Sequence, residues 1–224
     1  MKTLAVQISG MFIVFALILF ASAGTIRWFA GWCFLILFFG FVIALSLWLL
    51  RHNPALLTER MTGIGNAGQK RWDKVFFVLA NVFFLAWLIL MPMDAVRFHW
   101  SHMPVLVQAA GAAISILSFW LFFLTFRENS YLSPAVRVQT ERGHTVVTTG
   151  PYRYVRHPMY AAAFAFIVGT TLLLGSWYGL PAGIVIVIAV AIRAVGEERV
   201  LRTELPGYDA YMQKVKYRLI PYLW

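Results

Sequence analysis

Six apolar stretches divide this chain, at about 4–23, 28–50, 74–93, 104–126, 158–175 and 177–196. A helix needs roughly 20 apolar residues to cross a bilayer, and these runs sit at or near that length. The last two lie so close together that one of them could be re-entrant. Hydrophobic residues make up 61% of the 224, and charged residues only 12%. A soluble domain carries about a quarter charged residues and could not hide this much apolar surface. The expected fold is therefore an all-α, polytopic integral membrane protein with about six transmembrane helices, five being possible. Such helices are apolar nearly all round, so periodicity does not tell one face from another.

Spanning helices consume roughly half the chain, and the remainder is too short for a separate soluble domain of ordinary size, about 100 residues or more. The expectation is one membrane domain over 1–224. Residues 1–126 supply four N-terminal transmembrane helices, and 127–224 supply the last two helices and an amphipathic tail. Any chemistry must sit on helix ends and the loops between them. Gly24–Arg27, Asp94–Met103 and Gly175-Ser176-Trp177 read as short turns. The single cysteine, Cys33, lies within an apolar run and permits no internal disulfide. Ala21-Ser22-Ala23 resembles a signal-peptidase site, but the first run is long for a signal sequence and reads as a retained helix.

Charge sets the expected orientation. Of the 19 Lys and Arg residues, all but Arg27 and Arg97 fall in Lys2, in 51–74, in 127–157 or in the region from Arg193 to the end. Basic residues accumulate on the cytoplasmic side of membrane proteins, so these segments and both termini are expected there. The same rule accounts for the net charge of +10 without nucleic acid as a partner.

Two motifs invite readings that their context does not sustain. Gly63-Ile64-Gly65-Asn66-Ala67-Gly68 matches GxGxxG, but that fingerprint binds dinucleotides only between a strand and a helix of a βαβ unit; a flexible loop is expected instead. His99 and His102 have a metal-like spacing, yet no carboxylate or thiol cluster accompanies them, and no metal is expected. No GxSxG, HExxH or Walker pattern is present.

Chemistry is suggested where polar groups meet the ends of the last helices. Arg193 and Glu197 are four apart, hence on one helix face, with Glu198 beside them. Ionisable groups at membrane depth are costly and mark function, although a snorkelling helix-end ion pair is an equal reading. The run Gly150-Pro151-Tyr152-Arg153-Tyr154-Val155-Arg156-His157-Pro158-Met159-Tyr160 combines a turn with Pro158 at the start of a helix. The unsatisfied N–H groups of that first turn face the cytoplasm. Taken singly, its aromatics are interfacial anchors. The preceding loop contains a short β-like run, Thr145–Thr148.

Together these segments are specific. From about Asn129 onward the chain resembles the isoprenylcysteine carboxyl methyltransferases and their phospholipid-methyltransferase relatives, integral membrane enzymes. The resemblance rests on His144-Thr145-Val146-Val147, Gly150-Pro151-Tyr152, Arg156-His157-Pro158-Met159-Tyr160, Gly169, Glu197-Glu198, Tyr208, Tyr211 and Pro221. The first hundred residues contribute general membrane architecture only. The resemblance makes 127–224 the catalytic region, with the cytoplasmic loop and tail forming the site for S-adenosylmethionine, whose product is S-adenosylhomocysteine. It assigns donor binding to Gln139, His144, Thr145, Val146, Val147, Tyr152, His157, Pro158, Met159, Tyr160 and Glu197, and acceptor binding to Arg193. Ala161-Ala162 departs from the family, which commonly has a glycine there.

Methyl transfer from a sulfonium needs mainly positioning. Glu197 would bind the donor's ammonium. The expected acceptor is lipidic or lipid-modified and carries a carboxylate, which Arg193 would orient by a forked hydrogen bond. A phospholipid amine or a small thiol is the alternative, and the amine would need a base, Glu198 or His157. Two further alternatives are an NADPH-dependent sterol or enone reductase, whose Arg-His-x-Asn-Tyr-x-Gly-Asp pattern is not met after His157, and a transporter or assembly subunit, which would place polar residues in several spans.

Overall fold

A computed structural model describes residues 2–61 and 69–224. The glycine-rich motif at 63–68 lies outside the described residues. Among those described the chain is all-helical with no strand. Its helices are α1 (Lys2–Ala23), α2 (Phe29–His52), α3 (Pro54–Met61), α4 (Arg71–Pro92), α5 (Val105–Glu128), α6 (Pro158–Leu174), α7 (Gly179–Glu204) and α8 (Tyr208–Lys214). A π-helical turn, Met93–Arg97, continues α4.

Five of these, α1, α2, α4 with its π turn, α5 and α7, are long and apolar enough to cross a membrane. The fifth apolar run forms α6, which has 17 residues and would extend about 26 Å at 1.5 Å per residue. It packs against α5, α7, α2 and α4, and Ala162, Phe166, Gly169 and Thr170 are among its buried residues. A helix enclosed by others need not match the full bilayer thickness. The outer helices instead present Leu17, Ile36, Val82, Leu117 and Ile188 on exposed faces, as lipid contact requires.

Small residues draw α5 and α6 together. A Cβ on Gly111 would lie 2.3 Å from the Leu173 backbone nitrogen, and one on Gly169 2.7 Å from the Ser115 nitrogen. This is the close backbone approach that small residues permit between membrane helices. Ser118 Oγ donates across the same seam to Ala162 O at 2.9 Å, and Trp87 Nε1 joins α4 to α7 at Gly179 O, also 2.9 Å.

Polar clusters hold the two ends of the bundle. At the end bearing Arg27 and Arg97, Asp94 is fully buried. Its Oδ2 accepts from Ser101 Oγ at 2.7 Å, from Ser176 Oγ, and from the Tyr178 backbone N–H at 3.3 Å. At the opposite end, α3 clamps the loop that follows α5: Arg60 Nη1 donates to Leu132 O at 3.0 Å, and Ser133 Oγ to Glu59 at 2.9 Å. Thr145–Thr148, β-like in sequence, pairs with no strand. Thr145, Val146 and Val147 line a cleft instead.

Candidate active site

The loop after α5 returns over the ends of α6, α7 and α8 and leaves an open cleft between them. Local sequence explains its shape. Gly150 adopts φ 56°, and a side chain there would come within 2.3 Å of Glu128 Cγ. Glycine therefore lets the 3₁₀ turn Gly150–Arg153 close against the end of α5, where Thr149 Oγ1 donates to Glu128 at 2.8 Å. Pro158 then starts α6 at the position where its missing N–H costs nothing.

Most of the residues singled out by sequence meet in this cleft. His144, Thr145, Val146, Val147, Tyr152, His157, Met159, Tyr160, Arg193 and Glu197 all line it. Gln139, Pro158 and Glu198 do not. Gln139 is fully buried behind the loop, donating to Tyr131 O at 2.7 Å and accepting from Arg142 Nη1 at 2.7 Å. Its backbone N–H meets His144 Nδ1 at 3.3 Å, which holds the imidazole against Tyr131, ring centroids 4.3 Å apart. Burial pushes the His144 imidazole down to about 4, so it is neutral at pH 7. Burial also raises the phenols of Tyr152 and Tyr208, which therefore face the cleft protonated.

The adjacent glutamates of α7 differ in their surroundings. Glu197 Oε2 accepts from the Tyr160 hydroxyl; Oε1 has no protein partner among the described residues, and the side chain faces the cleft. Glu198 is buried and bound on both oxygens. Its Oε1 accepts from Arg156 Nε at 2.6 Å and meets His157 Nε2 at 3.3 Å, while Oε2 accepts from Arg218 Nε at 2.8 Å. Arg156 Nη1 also donates to Val215 O and Lys216 O, both at 2.8 Å. Glu198 thus fastens the C-terminal segment beside the start of α6.

Arg193 is buried at the far wall. Nε donates to Asp73 Oδ1 at 2.9 Å, Nη2 to Pro134 O at 2.6 Å, and Nη1 to the Tyr160 hydroxyl. Asp73 has no exposed surface, and its Oδ2 accepts from Gln69 Nε2 and the Val136 N–H, each at 3.0 Å. Sequence reasoning missed Asp73, so the first hundred residues contribute more than general architecture. The available signal was an acidic residue between Trp72 and Lys74 at the mouth of an apolar run, which looked like an ordinary charged helix start. Also unanticipated were Asn129 and Tyr131, cleft residues of the loop; Asn129 Nδ2 donates to the Tyr152 hydroxyl at 2.8 Å.

Residues 106–205 match the family of phospholipid methyltransferases. The matched span runs from α5 to the end of α7 and holds the ten cleft residues from His144 to Glu197 named above. This family belongs to the same membrane methyltransferase group as the isoprenylcysteine enzymes that the motifs resemble. Both families are membrane methyltransferases, and families of this type generally depend on S-adenosylmethionine. No curated protein matches the chain. Among the described residues no group of three His, Cys, Asp or Glu is placed to hold a metal ion; His99 and His102 stack with ring centroids 6.5 Å apart on the opposite end of the bundle.

Proposed function

We propose that this protein transfers a methyl group from S-adenosylmethionine, bound in the cleft from the cytoplasm, to an amphiphilic acceptor whose chain remains in the bilayer. The observation that carries this reading is the position of Tyr160. It lines both the polar cleft and an apolar groove of about 530 Å³ formed with Phe84, Phe164, Ile186 and Val190 between α4, α6 and α7. One side chain therefore separates a site fit for a soluble, charged molecule from a slot fit for a lipid chain. The cytoplasmic assignment follows from the basic segments gathered at the cleft end.

The residues present suit the donor. Glu197 offers a carboxylate oxygen to its ammonium, a charge-assisted contact. The backbone of His144–Val147 and the walls formed by Tyr152 and Met159 enclose its polar and flat parts. Gln139 holds His144 in place, and Pro158 fixes the start of α6 so that His157 and Tyr160 face the cleft. When bound, S-adenosylmethionine supplies a methyl already activated on sulfur, so an acceptor lone pair forms the new bond as the carbon–sulfur bond breaks onto sulfur. Arg193 and Tyr160 stand at the acceptor side and orient the incoming head group. An amine acceptor must shed a proton, and His157, which lines the cleft, is placed to take it; Glu198, bound by two arginines, holds His157 in position. A carboxylate acceptor would need no base and would rely on Arg193 alone.

Calorimetric titration of the detergent-purified protein with S-adenosylhomocysteine tests the donor site, with NADPH as the competing ligand. Saturable S-adenosylhomocysteine binding, lost in Glu197→Ala without loss of thermal stability, is the expected result. Equal binding in the variant, or binding of NADPH alone, overturns the assignment.

A further inference from the structure

Asp73 lies outside the matched span 106–205 and outside the lining of the cleft, yet it sets the charge of the acceptor side. Arg193 has each of its three nitrogens committed, to Asp73, to Tyr160 and to Pro134 O. Its charge is already paired with a carboxylate that has no exposed surface. Without Asp73, the Arg193 guanidinium would stand at the acceptor side with no carboxylate paired to it, and such a site attracts anions. With Asp73, the Arg193 charge is paired within the protein.

Building on the acceptor route proposed above, we infer that Asp73 is a specificity-determining positioning residue, which neutralises Arg193 from behind and so makes the site take an amine or uncharged head group in preference to a carboxylate. A carboxylate entering beside Tyr160 would have to draw Arg193 from partners that already satisfy it and, with no donor bound, would face the Glu197 charge as well. An amine or hydroxyl needs an acceptor instead, and the Tyr160 oxygen supplies one. The sequence led to the opposite expectation, a forked carboxylate on Arg193, because Asp73 reaches that guanidinium only through the fold, across 120 residues of chain.

The test separates charge selection from mere support. In zwitterionic phosphatidylcholine nanodiscs, a photoreactive diazirine analogue of dodecanol labels the groove, and labelling of the Tyr160 peptide is read by mass spectrometry. Dodecylamine and dodecanoate then compete for it. The wild type is expected to prefer the amine by on the order of tenfold, as one uncompensated charge of difference would give at this depth. Asp73→Asn should erase or invert that ratio, and the double variant Asp73→Asn/Arg193→Gln should restore it. A wild-type preference for dodecanoate, no competition by either amphiphile, or a ratio unchanged in Asp73→Asn overturns the inference. Binding of S-adenosylhomocysteine, measured on the same samples, reports on the donor site alone, so failure of one reading is distinguished from failure of the other.

Discussion

The two ends of the helix bundle bury carboxylates in opposite ways. At the Arg97 end, Asp94 is enclosed by two serine hydroxyls and a backbone N–H, with no cation among its partners. At the cleft end, Asp73 and Glu198 are bound by arginines, and Glu197 keeps one oxygen turned toward open space. The first arrangement ties the π turn of α4 to the loop before α7 and lines none of the cleft. The second has the same helix-joining task, but it is built around a void and leaves charge available. Burial of a charged group is therefore not by itself the mark of a site; the mark is a charged group with capacity left over beside a cavity.

That contrast can be broken by substitution. Glu197→Ala should produce the largest change, at least a hundredfold loss of S-adenosylhomocysteine affinity by calorimetry with an unchanged melting temperature, because a charge-assisted contact in a partly buried site is removed. A similar loss in Asp94→Asn would erase the distinction between the ends.

Glu198→Gln should instead act on stability. Removing one partner of a buried ion pair costs about 3–5 kcal/mol, so the melting transition should fall and amide exchange at 215–218 should accelerate. Donor binding extrapolated to the folded fraction should drop far less than in Glu197→Ala. An unchanged exchange rate at the tail would separate Glu198 from the fastening role that its contacts with Arg156 and Arg218 give it.

Asp94→Asn should cost about 1–3 kcal/mol, the loss expected when a buried hydrogen-bonding group is left mismatched, with donor binding intact. The smallest effect is expected at His144. Its folded value of about 4 lies below the ordinary histidine value near 6.5. Its neutral form therefore contributes stability that is complete above pH 6.5 and is lost as pH falls toward 4. Ring resonances assigned with a His144→Gln control should show titration near pH 4. Titration near 6.5 would mean that the cleft wall is wetter than its packing against Tyr131 implies.

Much of this was legible in the residues. Length, the apolar runs and the charge distribution dictate a membrane-embedded helical bundle, because lipid accepts little else. The motif from His144 to Tyr160, with Glu197, supplies nearly half of the cleft's lining, because those residues lie in two short segments whose spacing is local. Even the short fifth run left a trace, in its brevity and the tight turn at Gly175-Ser176-Trp177. Tertiary structure decided the rest. It enclosed α6 among other helices, drew Gln139 behind the loop, turned Glu197 toward the cleft and Glu198 away from it, and brought Asp73 to Arg193. These outcomes depend on which helix ends meet across long stretches of chain and on which hydrogen bonds a buried guanidinium completes. Local periodicity carries no record of either, since apolar helices read alike on every face.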